Sequence, residues 1–204
     1  MPRIKVKRTS TVTDMTAMCD VASLLLTFFI LTATARQPEP LAVSTPSSTY
    51  ETKVPATNNA ILTIGRGEVF FEVAGNKVRE RTLELMGDMY KVTFTPEEKL
   101  RFSVISTFGV PFKDLKAFIA MSGSDRMKKG VQTGIPTDST DNQLNNWVLN
   151  ARKANVEING EQMKLSIKGD AQEEYPTVKK VIDVLQKQHL NKFLLVTNAE
   201  AKKK

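Results

Sequence analysis

One stretch near the N-terminus is far more apolar than any other part of the chain. Between Met15 and Ala35 the only charged residue is Asp20. An apolar run of about 20 residues is long enough to cross the roughly 30 Å hydrocarbon core of a bilayer as a helix. The pattern therefore predicts a membrane-spanning helix at residues 14–35, with a carboxylate inside the membrane or near its edge.

The polar positions of this helix are spaced so that they share one face. Thr16 lies four residues before Asp20, and Ser23 and Thr27 lie three and seven residues after it, which are spacings of one helical face. An intramembrane carboxylate is costly and usually faces protein or a water-filled path. Asp20 is therefore the candidate ion-carrying group, and Thr16, Ser23 and Thr27 are predicted to tune its hydration. In a second interpretation, the hydroxyls bond only to their own helix backbone.

The composition changes after the helix. Residues 36–59 hold four of the nine prolines and many serines and threonines, which predicts an extended, flexible linker. A folded domain is predicted at residues 60–198, between this linker and a basic tail at residues 199–204. Residues 1–13 form a basic tail before the helix.

Within the folded part, alternating apolar and polar positions predict strands, and apolar positions three and four residues apart predict helices. The predicted strands are residues 61–64, 69–73, 163–167 and 193–197, and the predicted helices are residues 79–90, 143–154 and 175–189, with shorter helices opening at Pro96 and Pro111. The first two strands are expected to pair as a hairpin around Gly65-Arg66-Gly67-Glu68. Residues 123–141 are predicted to be a loop.

Two local features refine this picture. The only tryptophan, Trp147, shares its helical face with Leu144, Val148 and Ala151, so it is predicted to be a core residue. Val156 and Ile158 precede Asn159-Gly160, which is a signal for a tight turn.

The distribution of charge along the chain predicts the orientation of the helix in the membrane. The formal net charge of +7 is accounted for by basic residues at the two ends of the chain, namely Arg3, Lys5, Lys7, Arg8, Lys202, Lys203 and Lys204. No basic face is interleaved with aromatic residues, so nucleic acid is not an expected partner. The positive charge before the apolar run predicts that the N-terminus is cytoplasmic.

The sequence contains no recognisable catalytic or metal-binding pattern. The chain has one cysteine, Cys19, and one histidine, His189, which leaves no zinc or nucleophile–histidine spacing. Gly65-Arg66-Gly67 lacks the lysine and the further glycine of a phosphate-binding loop. We therefore expect no enzyme activity, no cofactor and no metal.

A secretory signal peptide is an alternative interpretation of the N-terminus. Basic residues, an apolar core and the small residues Ala33-Thr34-Ala35 also describe a cleavable signal. Asp14 and Asp20, and the length of the segment before the apolar core, argue against it. On this alternative the mature chain is a secreted binding domain.

Both ends of the chain resemble the ExbD/TolR family of biopolymer transporters. The start of that family's membrane helix is similar to the segment from Asp14 to Val21 and the Leu- and Phe-rich run from Leu24 to Leu31. The order strand, Gly169-Asp170, amphipathic helix and strand in residues 164–197 resembles the family's periplasmic domain. The chain departs from the family pattern where Ala17 replaces a usual proline, Asp14 a common asparagine and Cys19 an apolar residue.

The resemblance implies a specific fold. It implies a single N-terminal transmembrane helix plus an α+β periplasmic domain, with a small mixed sheet and helices on one face. Residues 93–141 look like an insertion relative to shorter family members, and their role is not evident from the sequence.

The resemblance also implies a function. Asp20 aligns with the family's essential intramembrane aspartate, so the chain would use the ion-motive force across the bacterial inner membrane. The implied partners are an ExbB/TolQ-like multi-pass protein, a TonB-like energy transducer and a second copy of the chain. The sequence leaves open whether the ion is a proton or sodium, whether the role is TonB-linked or Tol-like, what is energised and the stoichiometry. A membrane-anchored envelope binding domain without ion conduction is the alternative.

Overall fold

The computed structural model describes residues 15–33, 40–41, 43–48, 55, 57–137 and 141–199. The chain divides into two compact units, Met1–Pro38 and Glu39–Lys204. Asp14 and the two basic tails beyond these ranges lie outside the described residues.

The first unit contains helix α1 (Met15–Thr32). Its 18 residues have a mean hydropathy of 1.8 and span about 27 Å along the axis. No side chain of α1 is buried within the chain. By length and composition, α1 is able to cross a membrane, as the sequence predicted.

The second unit is a mixed α/β domain. Its strands are β1 (Ser47–Ser48), β2 (Asn59–Gly65), β3 (Glu68–Val73), β4 (Thr107–Phe108), β5 (Lys164–Gly169), β6 (Leu194–Leu195) and β7 (Asn198–Ala199), and its helices are α2 (Asn76–Tyr90), α3 (Pro96–Ser103), α4 (Leu115–Ala120), α5 (Gly123–Arg126), α6 (Gln143–Asn159) and α7 (Tyr175–Lys187), with a short 3₁₀ turn at Phe112–Asp114. Five strands form one sheet in the order β4-β3-β2-β5-β6. The β2–β3 and β3–β4 pairs are antiparallel, and the β2–β5 and β5–β6 pairs are parallel, so the predicted mixed sheet is confirmed.

The predicted hairpin is also confirmed. Strands β2 and β3 are joined by Arg66 and Gly67, whose φ angles of 57° and 74° are both positive. Two positive φ angles are what a type I′ hairpin turn requires. The backbone N–H of Gly67 donates to the carboxylate of Glu173 at 3.1 Å, which fixes the tip of the turn against the start of α7.

The helices pack on one face of the sheet, as expected. Alternate strand residues point to this face and are buried together with apolar residues of the helices; from the strands they are Ala60, Leu62, Ile64, Val69, Phe71, Val73, Phe108, Leu165 and Ile167. Trp147 of α6 is fully buried at the centre, which confirms its prediction as a core residue. Its ring lies 4.7 Å from that of Phe108 and 6.0 Å from that of Phe102, measured between centroids.

Residues 93–141 supply much of this core. Phe102, Phe108, Phe112 and Phe118 are all buried, and the first three surround Trp147. This segment is therefore integral to the folded unit, whatever its origin.

The tight turn predicted at Asn159-Gly160 is instead the end of a helix. Helix α6 continues through both residues and ends at Gly160, whose φ of 71° is left-handed. The N–H of Gly160 donates to the carbonyl of Val156 at 3.0 Å. Asn-Gly here caps a helix rather than closing a hairpin, because glycine suits a left-handed C-cap as well as it suits a type I′ turn. The last predicted strand is also shorter, since β6 covers only Leu194–Leu195.

Part of the predicted linker lies against the second face of the sheet. Leu41 is only 5% exposed, and the carbonyl of Ser44 accepts a hydrogen bond from the N–H of Ala171 at 2.8 Å. Strand β1 pairs in parallel with β7. The described residues 40–41 and 43–48 therefore belong to the folded unit, and we call them the strap. Sequence composition did not predict the strap, because the surface of the sheet that Leu41 and Val43 contact forms only when the chain folds.

The strap can approach the sheet because residue 65 is a glycine. A Cβ on Gly65 would lie 2.7 Å from Cδ2 of Leu41 and 2.9 Å from Cγ1 of Val43. Gly65→Ala should therefore push the strap outward and lower the free energy of unfolding by about 1–3 kcal/mol, as other overpacked sites do. Denaturant unfolding of the full chain in detergent measures this change. Gly169→Ala is the matched control, because Gly169 pairs with Ile64 in the same sheet and has open space at its Cβ. Equal destabilisation by both substitutions would contradict this role for Gly65.

A chain of ion pairs ties three helices together on the surface of the domain. The Glu84 carboxylate of α2 accepts from Lys99 Nζ of α3 at 2.6 Å and from Arg81 at 2.9 Å, and Arg81 Nε donates to Glu157 of α6 at 2.7 Å. The hydrogen bond from Lys99, and then that from Arg81, lowers the pKa of Glu84 below its ordinary value.

This lowered pKa makes stability depend on pH. The ion pairs stabilise the fold above the unfolded pKa of Glu84, and that contribution is lost as the pH falls through the lowered folded value. Glu84→Gln should cost at most about 1 kcal/mol near neutral pH, and the cost should shrink as the pH falls below the ordinary glutamate pKa of about 4.3. Urea unfolding of both chains across this pH range tests the difference. Glu80→Gln, on the same helix, should give no comparable pH-dependent loss.

Candidate functional site

The candidate ion-carrying residues all lie on α1. Asp20 is exposed in the first unit and has no ion pair or hydrogen bond within the described part of the chain. Thr16 is one turn before it and Ser23 is one turn after it, so the helix places both beside the carboxylate. Thr27 is two turns away, about 10 Å along the axis.

The hydroxyl of Thr27 is already engaged. Its Oγ1 donates to the carbonyl of Leu24 at 2.9 Å, and Oγ1 of Thr32 donates in the same way to the carbonyl of Phe28 at 2.8 Å. For Thr27 this is the backbone-bonded arrangement that the sequence allowed as an alternative. Its oxygen retains the capacity to accept a hydrogen bond. Of the three hydroxyl residues, Thr16 and Ser23 are thus the nearest to Asp20.

A lone carboxylate on an apolar helix has limited chemistry. It can bind and release a cation, and it can accept hydrogen bonds, but it offers no nucleophile–base pair. Oxygen atoms of Asp20, Ser23 and Thr16 are the type of ligand that suits a proton or a hard cation. One helix cannot enclose such a site, so its remaining walls must come from another helix.

The folded unit adds no catalytic constellation in the residues described. No group of three histidine, cysteine or acidic residues there is placed to hold a metal ion. Two surface clefts of about 400 and 420 Å³ lie at α6, the second beside the start of α2. Their polar lining consists of amides, basic side chains, Thr57 and Glu157, with no nucleophile–base pair.

One cluster of basic residues was not predicted from the sequence. Arg66 of the β2–β3 turn and Arg126, Lys128 and Lys129 line a common cleft of about 260 Å³. The run from Asp125 to Lys129 was predicted only as loop, and about 60 residues separate it from Arg66. The positive φ of Arg66 could not be seen in the sequence.

Comparisons with known proteins agree with the helix and the domain. The protein-family scan matches the biopolymer transport protein ExbD/TolR over residues 7–200, which is nearly the whole chain. Searches of curated proteins and of solved structures found no match. The match spans α1 with Asp20 as well as the mixed α/β unit that follows. The chain therefore belongs to the ExbD/TolR family of biopolymer transport proteins, whose members energise transport and are not enzymes.

Proposed function

We propose that this chain is the ion-motive-force-coupled subunit of an ExbB–ExbD-type motor and that Asp20 carries its ion. The observation that carries the proposal is the isolation of Asp20. It is the one charge on an 18-residue apolar helix, in a family of energy-coupling transport subunits. A carboxylate in hydrocarbon is too costly to be retained without a task.

The isolation of Asp20 also supports a partner. The described chain gives Asp20 no compensating group, so neighbouring membrane helices must surround it when α1 spans the bilayer. An ExbB/TolQ-like multi-pass protein around two copies of α1 meets this need. Contacts between small and hydroxyl side chains, such as those of Thr16 and Ser23, suit such helix packing.

The three hydroxyl residues differ in this proposal by their distance from Asp20. Thr16 and Ser23 are within one turn of Asp20 and tune its contact with water or with the ion. Thr27 lies two turns along the path, and its hydroxyl, which donates to Leu24, retains an acceptor oxygen. Movement of one charge through the membrane supplies about 2.3 kcal/mol per 100 mV, which is the energy available for work.

The expected orientation follows from charge. Arg3, Lys5, Lys7 and Arg8 precede α1, and such residues favour the cytoplasmic side. The unit Glu39–Lys204 would then lie in the periplasm, where it can meet a TonB-like transducer. A single-pass inner-membrane protein is consistent with both the family and the one candidate span.

A simple tether is the second candidate for α1. The hydroxyls of Thr27 and Thr32 bond to their own helix, as they would in a helix that only anchors an envelope binding domain. The sequence also leaves the secreted form of such a domain as an alternative.

Replacing α1 by a leucine–alanine span of equal length separates motor from tether. A motor should lose energy-dependent activity and co-purification with its multi-pass partner, because the polar face is gone, while the domain stays anchored. Membrane fractionation, co-purification and a transport assay in cells make the comparison. Full activity with the plain span would establish the tether.

Asp20→Asn tests the ion carrier directly. Asparagine keeps the size and polarity of the side chain but cannot release a proton, so energy transduction should fall to the level of cells without the protein. Insertion and partner binding should remain. The measurement is partner-dependent ion flux, or uptake of a large outer-membrane substrate.

Asp14→Asn is the matched control, because Asp14 is the nearest other acid, six residues earlier in the sequence. Its effect should be mild. Normal activity of the Asp20→Asn chain would overturn the proposal. Repeating the flux measurement with potassium in place of sodium, at fixed pH, distinguishes a proton from a sodium ion.

A further inference from the structure

The cleft introduced above combines positive charge with an apolar base. Its volume is about 260 Å³, and its lining includes Leu41, Phe70 and Met127 beside the four basic residues Arg66, Arg126, Lys128 and Lys129. We call it the basic cleft. Phe70 and Leu41 are almost fully buried, whereas Met127 is 40% exposed, so the apolar surface is accessible mainly at one rim.

One rim is the β2–β3 turn. Arg66 occupies a left-handed position, φ 57°, where asparagine or glycine is the usual residue. A long cationic side chain at this position does not stabilise the turn itself. The hydrogen bond from Gly67 to Glu173 holds the turn in place, so the position of Arg66 in the cleft does not depend on a ligand.

The other rim is the segment after α5, and it is equally well fixed. Arg126 donates through Nε to the carbonyl of Phe118 at 3.0 Å and through Nη2 to that of Ile119 at 2.8 Å. Gln132 accepts from the N–H of Gly109 at 2.9 Å and donates to the carbonyl of Arg126 at 3.1 Å. A rim held in this way needs little ordering when it binds a ligand.

The charges of the basic cleft are poorly compensated. Four cationic side chains and one carboxylate, that of Glu68, line it. Lys128 is paired with Asp125 at 2.7 Å, but Arg66 and Lys129 have no ion pair among the described residues. Burial, and then the charge of Arg101, lowers the pKa of Arg126 below its ordinary value. An added anion would therefore be stabilised here.

We propose that the basic cleft is a docking site for an acidic protein segment with apolar residues between its carboxylates. Charge complementarity selects carboxylates, and the surface of Met127 and the cleft base selects apolar side chains. Methionine adapts well to varied apolar partners. A polyanion without apolar groups would leave that surface unused. This site lies outside α1 and does not rest on the role proposed for Asp20.

The proposal is tested with the full-length chain in detergent and a labelled synthetic peptide that alternates glutamate with leucine and proline. Fluorescence anisotropy should show binding that weakens as salt is added, because exposed charges are screened. The same peptide with glutamine in place of glutamate should not bind. Absence of binding by the glutamate peptide would overturn the proposal.

Two variants assign the binding to the cleft. Arg66→Asn with Lys129→Gln should weaken binding by about tenfold, which two exposed charge pairs can supply. Asparagine suits the left-handed turn position, so this chain should keep its fold. The matched control is Lys179→Gln with Lys180→Gln, which removes two exposed charges from α7 and should change affinity less than about twofold. Equal losses in both chains would show a general charge effect and overturn the site.

A charge reversal distinguishes loss of peptide binding at the cleft from loss of binding through misfolding. Arg66→Asp with Lys129→Glu should bind a peptide with lysine in place of glutamate better than the original peptide, a gain that an unfolded chain cannot produce. Anionic lipid vesicles and cell-wall sacculi serve as competing ligands. If either bound through Arg66 and Lys129 while the acidic peptide did not, the cleft would be assigned to that other class.

Discussion

The dominant constraint on this chain is the cost of a carboxylate in an apolar environment. Asp20 is placed on a helix that is otherwise suited to hydrocarbon, and no described residue compensates it. Such a residue lowers the stability of the helix in a membrane unless other helices provide polar contacts or water. The proposed assembly with a multi-pass partner and the proposed use of an ion gradient are both argued from this one constraint. The hydroxyls of Thr16, Ser23 and Thr27 enter the proposal only through their distance from the Asp20 carboxylate.

Within the described part of the folded unit, one network of ion pairs and several buried hydrogen bonds compensate polar groups internally. Glu84, Lys99, Arg81 and Glu157 compensate one another across α2, α3 and α6, and buried amides such as Asn155 bond to backbone or to other amides. Trp147 Nε1 is the exception among the described buried polar side chains, and its aromatic neighbours explain why the ring is retained there. Arg66 and Lys129 have no ion pair among the described residues and line one cleft, and the partner proposed for them is another molecule.

Sequence alone predicted what depends on short-range periodicity. The hairpin around Arg66 and Gly67, strand β5 and helix α7 were all recognised from neighbouring residues, and Trp147 was placed correctly from its helical face. Gly160 was misread because one backbone conformation serves both a helix cap and a hairpin turn. The strap and the basic cleft were missed since they join distant segments: Leu41 packs near Gly65, and Arg66 faces Lys129. Asp20 could be singled out as a candidate because a single charge in an apolar run needs no tertiary information, and its role stays a prediction.

The two uncompensated sites belong to different units and obey different physics. In the proposed position of α1 across a bilayer, the surroundings of Asp20 are apolar, so solvation of the charge is expensive and an ion bound there would be held by few, close ligands. At the basic cleft water screens each charge, so affinity arises from several weak contacts and responds to salt. A site of the first kind suits transfer of one ion at a time, whereas the second suits reversible contact with a segment of a partner. The proposed energy coupling would combine the two, since an ion step does work only when the moving chain is in contact with what it moves.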